Sequence, residues 1–178
     1  MLNEMLIAGF GGQGIVTLGK LIAYAGMLEG REVSCYTRYG AEMRGGTAQC
    51  TVILSSDAID SPVIDAYDTV VAMNQPSMTL FQNKVKSSGQ LIWNRSLCTS
   101  EPDKTGIDLV GVDATTIATE LNNPRIANMV AFGAIAVKTG LFSVDSAITA
   151  MKKRFTRMTQ DMFELNQAAV KRGYEKCA

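Results

Sequence analysis

Residues 4–30 read EMLIAGFGGQGIVTLGKLIAYAGMLEG, and the succession of patterns in this stretch decides the fold. EMLIA (4–8) is a short apolar run closed by glycine, which suits a buried strand. From Ile15 the apolar positions 15, 18, 21, 22, 25 and 28 keep helical spacing and stop near Gly30. Between the two, Gly9, Gly11 and Gly14 fit the spacing G-x-G-x-x-G. A strand, a glycine turn and a helix in this order bind phosphate for a physical reason. Glycine lets the backbone approach closely, and free N–H groups at a helix N-terminus favour negative charge. The same glycines also serve tight packing of helix against strand. Both readings stay open on this stretch alone.

Working outward, EVSCYT (32–37) is rich in strand formers, and TAQCTVILS (47–55) alternates with period two. The connection between these runs is too short for a parallel crossover, so they are expected to pair antiparallel. TVVAM (69–73), QLIWN (90–94) and GIDLVGV (106–112) predict three further strands. Pro76 suits the first turn of a helix running to about Lys86 and stopping at Gly89, with Asn74 as its cap or as a residue lining a site. Asp113 is placed to cap a short helix reaching Leu121. PRIANMVAFGAIAVKTG (124–140) is apolar nearly all round, the mark of a buried helix. Ser143 caps a second helix to about Phe155, and a third runs to Gly173. The fold class expected is α/β: a three-layer α/β/α domain with a mostly parallel mixed sheet, a Rossmann-like first βα unit and a helical C-terminal third. One domain over residues 1–178 fits this length.

Composition narrows the function. Lys+Arg and Asp+Glu both number 17, so no basic face is available for nucleic acid or an anionic membrane. Histidine is absent, which removes the commonest acid–base group and metal ligand at neutral pH. Cys35, Cys50, Cys98 and Cys177 form no C-x-x-C, so zinc and iron–sulfur spacings are missing. Cys35 and Cys50 sit in apolar runs, where a free thiol packs as a small hydrophobe. No signal-peptide pattern and no run of membrane-spanning length occur, so a soluble cytoplasmic chain is expected. Charged residues make up 19% of the chain, below the common share of about 25%, which leaves apolar surface for a partner to cover. Thr17 and Ser34 have no base partner and are rejected as nucleophiles.

The ligand is not an obvious nucleotide. NAD binding calls for an acidic residue near the end of the second strand, where this chain reads Cys35-Tyr36-Thr37-Arg38. Arg38 is a thin basis for NADP. The phosphate loop of nucleoside triphosphatases is excluded because Ile15 stands where its lysine belongs. A second loop, TRYGAEMRGGTAQC (37–50), carries Arg38, Tyr39, Glu42 and Arg44 among Gly40, Gly45 and Gly46. Its arginines are planar donors for a carboxylate or phosphate, or partners of Glu42 within a hairpin loop.

GFGGQGI (9–15) followed by RYGAEMRGG (38–46) resembles the gamma subunit of the 2-oxoacid:ferredoxin (acceptor) oxidoreductases. NMVAFGAIA (128–136) resembles the buried C-terminal helix of that family, and the likeness covers roughly residues 5–160. The resemblance implies a non-autonomous subunit of an enzyme that converts a 2-oxoacid and coenzyme A to acyl-CoA and CO2, with ferredoxin or a similar acceptor taking the electrons. Thiamine diphosphate and [4Fe–4S] clusters are then expected on alpha and beta partner subunits or a ferredoxin-like delta subunit, with coenzyme A as a possible ligand here. Gly11, Gly12, Gln13 and Gly14 match the family's first loop. Arg38, Tyr39, Gly40, Glu42, Arg44, Gly45 and Gly46 match its second. The loop and the stand-alone chain look most like the 2-oxoglutarate branch, and a homodimer is conceivable for the isolated chain. The rival readings are a free-standing Rossmann-type nucleotide-binding oxidoreductase and a purely structural assembly module. The sharpest expectation is that both loops lie side by side at the carboxyl edge of the sheet.

Overall fold

A computed structural model of the chain describes residues 1–40 and 46–178. Six strands form one sheet: β1 (Leu2–Phe10), β2 (Glu32–Tyr39), β3 (Thr47–Ser55), β4 (Tyr67–Ala72), β5 (Val85–Asn94) and β6 (Asp108–Val112). Their order is β2-β3-β1-β4-β5-β6. β3 runs antiparallel to both β2 and β1, and the remaining pairings are parallel. The expected antiparallel pair is therefore present, inside an otherwise parallel sheet. Because β3 slots between β1 and β2, the glycine turn after β1 and the end of β2 emerge at the same rim.

The helices are α1 (Ile15–Leu28), α2 (Gln75–Phe81), α3 (Ala114–Glu120), α4 (Ala127–Thr139), α5 (Val144–Arg154) and α6 (Gln160–Cys177). α1 and α3–α6 cover one face. Leu18, Leu21 and Ile22 of α1 are fully buried there with Ile7, Cys50 and Leu54 of the sheet. Each such side chain contributes roughly 1.5–3 kcal/mol by leaving water. The other face is thinner, with Leu6, Val70, Leu91 and Trp93 packed against Met78 and Phe81 of α2. α4 is buried from Ala127 to Ala136 and closes on Gly140 at φ 60°, as its all-apolar pattern predicts. No helix among the described residues is long and apolar enough to cross a membrane.

Four expectations are corrected. The helix opened by Pro76 ends at Phe81, and β5 begins at Val85 and passes through Gly89. The register slips between Tyr67 and Thr69, and Ser88 adopts φ 63°. This bulge carries Lys86 to Glu4 (2.5 Å) and Asp68 (2.9 Å). Tertiary pairing of β5 with β4 thus overrides the local helical pattern. α6 does not stop at Gly173 but continues to Cys177, because that glycine is a contact point in mid-helix. A Cβ there would overlap the Val130 carbonyl of α4, and one on Gly133 would overlap the Val170 carbonyl of α6. Asp113 precedes α3 but makes no cap bond. Its carboxylate accepts from Arg95 instead (2.9 Å to Nε), and that bond holds its pKa below the usual range. Finally, Cys50 is buried as expected but Cys35 is exposed, because β2 is an edge strand.

Candidate functional site

β1 has β3 on one side and β4 on the other, and the chain leaves β1 towards β2 but reaches β4 from β3. The carboxyl ends of β1 and β4 therefore flank the switch point, where open α/β sheets hold their ligands. Gly11 lies just past β1 and donates from its N–H to the Gly46 carbonyl at 3.1 Å. On the far side of the second loop, the Gly40 N–H donates to the Thr47 carbonyl at 2.9 Å. The two loops are thus joined by backbone at one rim, as the sequence predicts. Glu42, Arg44 and Gly45 lie outside the described residues.

Within the first loop the glycines divide the work. Gly12 sits at φ 99°, and a Cβ on it would meet only open space. Gly14 is the residue before α1, at φ 74°. A Cβ there would run into the side-chain amide of Asn128 on α4. That amide nitrogen donates to the Gly14 carbonyl at 3.4 Å. The N-terminus of α1 has no side-chain cap and no acidic residue in its first turn, so its first N–H groups are not spent on the helix.

Gln13 turns inward. Its Oε1 accepts from the Phe10 N–H (2.7 Å) and from Asn74 Nδ2 (2.7 Å), and its Nε2 donates to the Met73 carbonyl (3.2 Å). Gln13 is a brace that ties the end of β1 to the end of β4. Asn74 in turn accepts from the Ser77 N–H at 2.9 Å and so caps α2. The cap is the first of its two predicted roles, and its amide nitrogen is held within the rim network by Gln13. Asn94, at the end of β5, extends the row by donating to the Met73 carbonyl (3.3 Å) and to Thr115 Oγ1 (2.9 Å). Asn74, Asn94 and Asn128 are all buried. Asn94 and Asn128 escaped the sequence reading. The signal for Asn94 was present, because TVVAMN and QLIWN both end an apolar strand on asparagine.

Arg38 and Tyr39 are adjacent on β2 and so point to opposite faces of the sheet. Arg38 stacks over Tyr36, 5.4 Å from its ring centroid. Tyr39 is 69% exposed, in register with Ala48, which itself pairs with Gly9. The structure brings the backbones of the two loops together and separates these two side chains. The rim is neutral in character: glycine amides and asparagine and glutamine groups, flanked by arginine. It can orient and bind. Among the described residues no cluster of three metal-ligating side chains occurs.

This fold is that of a known class. The family model for pyruvate ferredoxin/flavodoxin oxidoreductase matches residues 4–176. The chain belongs to the pyruvate ferredoxin/flavodoxin oxidoreductase family. It is 36% identical over 155 residues to the ketoisovalerate oxidoreductase subunit VorA of Methanothermobacter marburgensis, covering 87% of this chain and 32% of that one. It is 29% identical to the 2-oxoglutarate synthase subunit KorC of Methanocaldococcus jannaschii, covering 98% of this chain and 94% of the relative. Among solved structures, a 2-oxoglutarate:ferredoxin oxidoreductase from Magnetococcus marinus with 2-oxoglutarate, coenzyme A and succinyl-CoA bound superposes with a TM-score of 0.91 at 25% identity. That match covers 99% of this chain and 31% of the other. The gamma subunit of a keto/oxoacid ferredoxin oxidoreductase from Geobacter sulfurreducens gives a TM-score of 0.83 at 27% identity, covering 98% of both chains. The chain thus spans about a third of the length of VorA and of the Magnetococcus chain.

Proposed function

We propose that this chain is the gamma subunit of a multisubunit 2-oxoacid:ferredoxin oxidoreductase, and that its carboxyl rim receives coenzyme A. The whole enzyme would oxidatively decarboxylate a 2-oxoacid, with 2-oxoglutarate favoured, to acyl-CoA and CO2 and pass two electrons to ferredoxin. Thiamine diphosphate and [4Fe–4S] clusters would sit on alpha and beta subunits and a ferredoxin-like delta subunit in the cytoplasm. The near-complete match to KorC supports this reading, as does the coenzyme A bound in the Magnetococcus relative.

The observation that carries the reading is the Gly11–Gly46 hydrogen bond, which sets two glycine-rich loops together at the switch point. The rim's chemistry fits an anionic guest. Open space at Gly12 admits a phosphate close to the backbone, and the uncapped start of α1 offers N–H donors. Arg38 and Arg44 would supply guanidinium groups. Gln13, Asn74 and Asn94 are positioning residues that fix the loop, so no proton transfer is assigned to them.

The test uses the assembled enzyme, purified with its larger subunits. Arg44→Ala should raise KM for coenzyme A about tenfold, the loss of one charge-assisted contact worth about 1.4 kcal/mol, and leave KM for the 2-oxoacid unchanged. Unchanged constants with normal assembly would reject the coenzyme A site. If Arg44→Ala or Tyr39→Ala instead releases the chain from its complex, the rim is a subunit interface. The high exposure of Tyr39 favours that second reading.

A further inference from the structure

The edge strand β2 carries a feature that the proposed binding role does not use. Cys35 Sγ lies 3.6 Å from Cys50 Sγ, a direct sulfur–sulfur contact between β2 and β3. Cys50 is opposite Thr37, and Cys35 is opposite Val52, so the two cysteines stand diagonally on the same face. Cys35 is exposed at the open edge and Cys50 is buried beneath it. Two thiols already in contact, one reachable from solvent and one shielded, form an attacking and resolving arrangement.

We propose that Cys35 and Cys50 are an oxidisable dithiol that converts to an intrachain disulfide on reaction with hydrogen peroxide. The Cys35 thiolate attacks one peroxide oxygen and the O–O bond breaks. The departing hydroxide takes up a proton to become water, leaving Cys35 as a sulfenic acid. The Cys50 sulfur then attacks the Cys35 sulfur and the S–O bond breaks. The leaving hydroxide takes the Cys50 proton as a second water. The two thiols together lose two electrons and two protons, and the peroxide gains them.

The surroundings single out this pair. The hydrogen bond from the Cys50 thiol, opposed by burial and aided by the charge of Lys20, holds the Cys35 pKa down to about 7. Burial pushes the Cys98 thiol up to about 11, and burial also raises Cys177. Closing the bond draws the sulfurs from 3.6 Å to about 2 Å. Cys50 Sγ now fills the notch above Gly19 of α1, where a Cβ would overlap it. Oxidation therefore pins the strand that leads into the second loop and shifts a packing contact of α1.

The test treats the reduced chain with hydrogen peroxide and then counts thiols in denaturant. The expected result is loss of two of the four thiols, a mass lower by two hydrogens, and full reversal by dithiothreitol. Trypsin cuts at Arg38, so the product should appear as two peptides linked through Cys35 and Cys50. Cys35→Ser, a change at an exposed position, should abolish the loss and keep the native circular dichroism spectrum. Cys50→Ala should leave Cys35 as a sulfenic acid that dimedone traps. Cys35 driven to sulfinic acid beside a free Cys50, a disulfide between chains, or no thiol loss would each overturn the proposal.

Discussion

Two regions of this molecule depend on glycine for opposite reasons. At the crossing of α4 and α6, Gly133 and Gly173 each face a carbonyl of the other helix so closely that no Cβ fits. In the turn between β1 and α1, Gly12 faces open space and is required only by its φ of 99°. Gly14 belongs to both kinds, since φ is 74° and Asn128 leaves no room. Glycine at the crossing removes a side chain so that backbones can touch. Glycine in the turn lets the backbone bend and leaves room for something else. The contrast separates a packing role from a conformational role within one residue type.

The crossing should be the more fragile region. Gly133→Ala must push α4 and α6 apart, and a cost above about 3 kcal/mol is expected, read as a fall in the urea midpoint. A cost below 1 kcal/mol would dissolve the distinction. Gly14→Ala combines a left-handed conformation with a clash and should cost about 2–3 kcal/mol. Part of that cost should return in Gly14→Ala/Asn128→Ala, where the amide is gone; strict additivity would show that Asn128 is not the obstacle. Gln13→Ala removes the brace and leaves the Phe10 N–H and Asn74 amide without their acceptor, for about 2 kcal/mol of stability. Gly12→Ala should be mildest, about 1 kcal/mol from φ alone. In the assembled enzyme that same change should weaken coenzyme A more than it weakens folding. Equal binding by Gly12→Ala and the parent would sever the turn from the ligand.

Legibility in the sequence followed the range of the interaction. Asn74 as a cap, Gly140 as a helix stop and Ser143 as a cap were readable because each acts within one turn of chain. Gly89 and Gly173 lie inside a strand and a helix and not at helix ends, because glycine reports only that a side chain is unwelcome, never what excludes it. At Gly89 the obstacle is the Asp68 carbonyl of the neighbouring strand, 2.8 Å from a would-be Cβ. At Gly173 it is a helix far away in sequence. Cys35 and Cys50 looked alike in their runs, yet only the strand order makes one an edge residue and the other interior. Gln13 was picked out as a loop residue, and only its three partners across the rim show it holding that loop in place.

The sequence by itself determined the strand–turn–helix opening, the antiparallel 32–55 pair, the buried α4 and a chain free of histidine chemistry. Those properties rest on local dihedral preference, residue period and composition, all of which are written in neighbouring residues. Tertiary structure alone decided that β3 would part β1 from β2, that Gly11 would meet Gly46, and that two glycines would mark a helix crossing. Such contacts join residues distant along the chain, and their free energy exists only once both partners are in place.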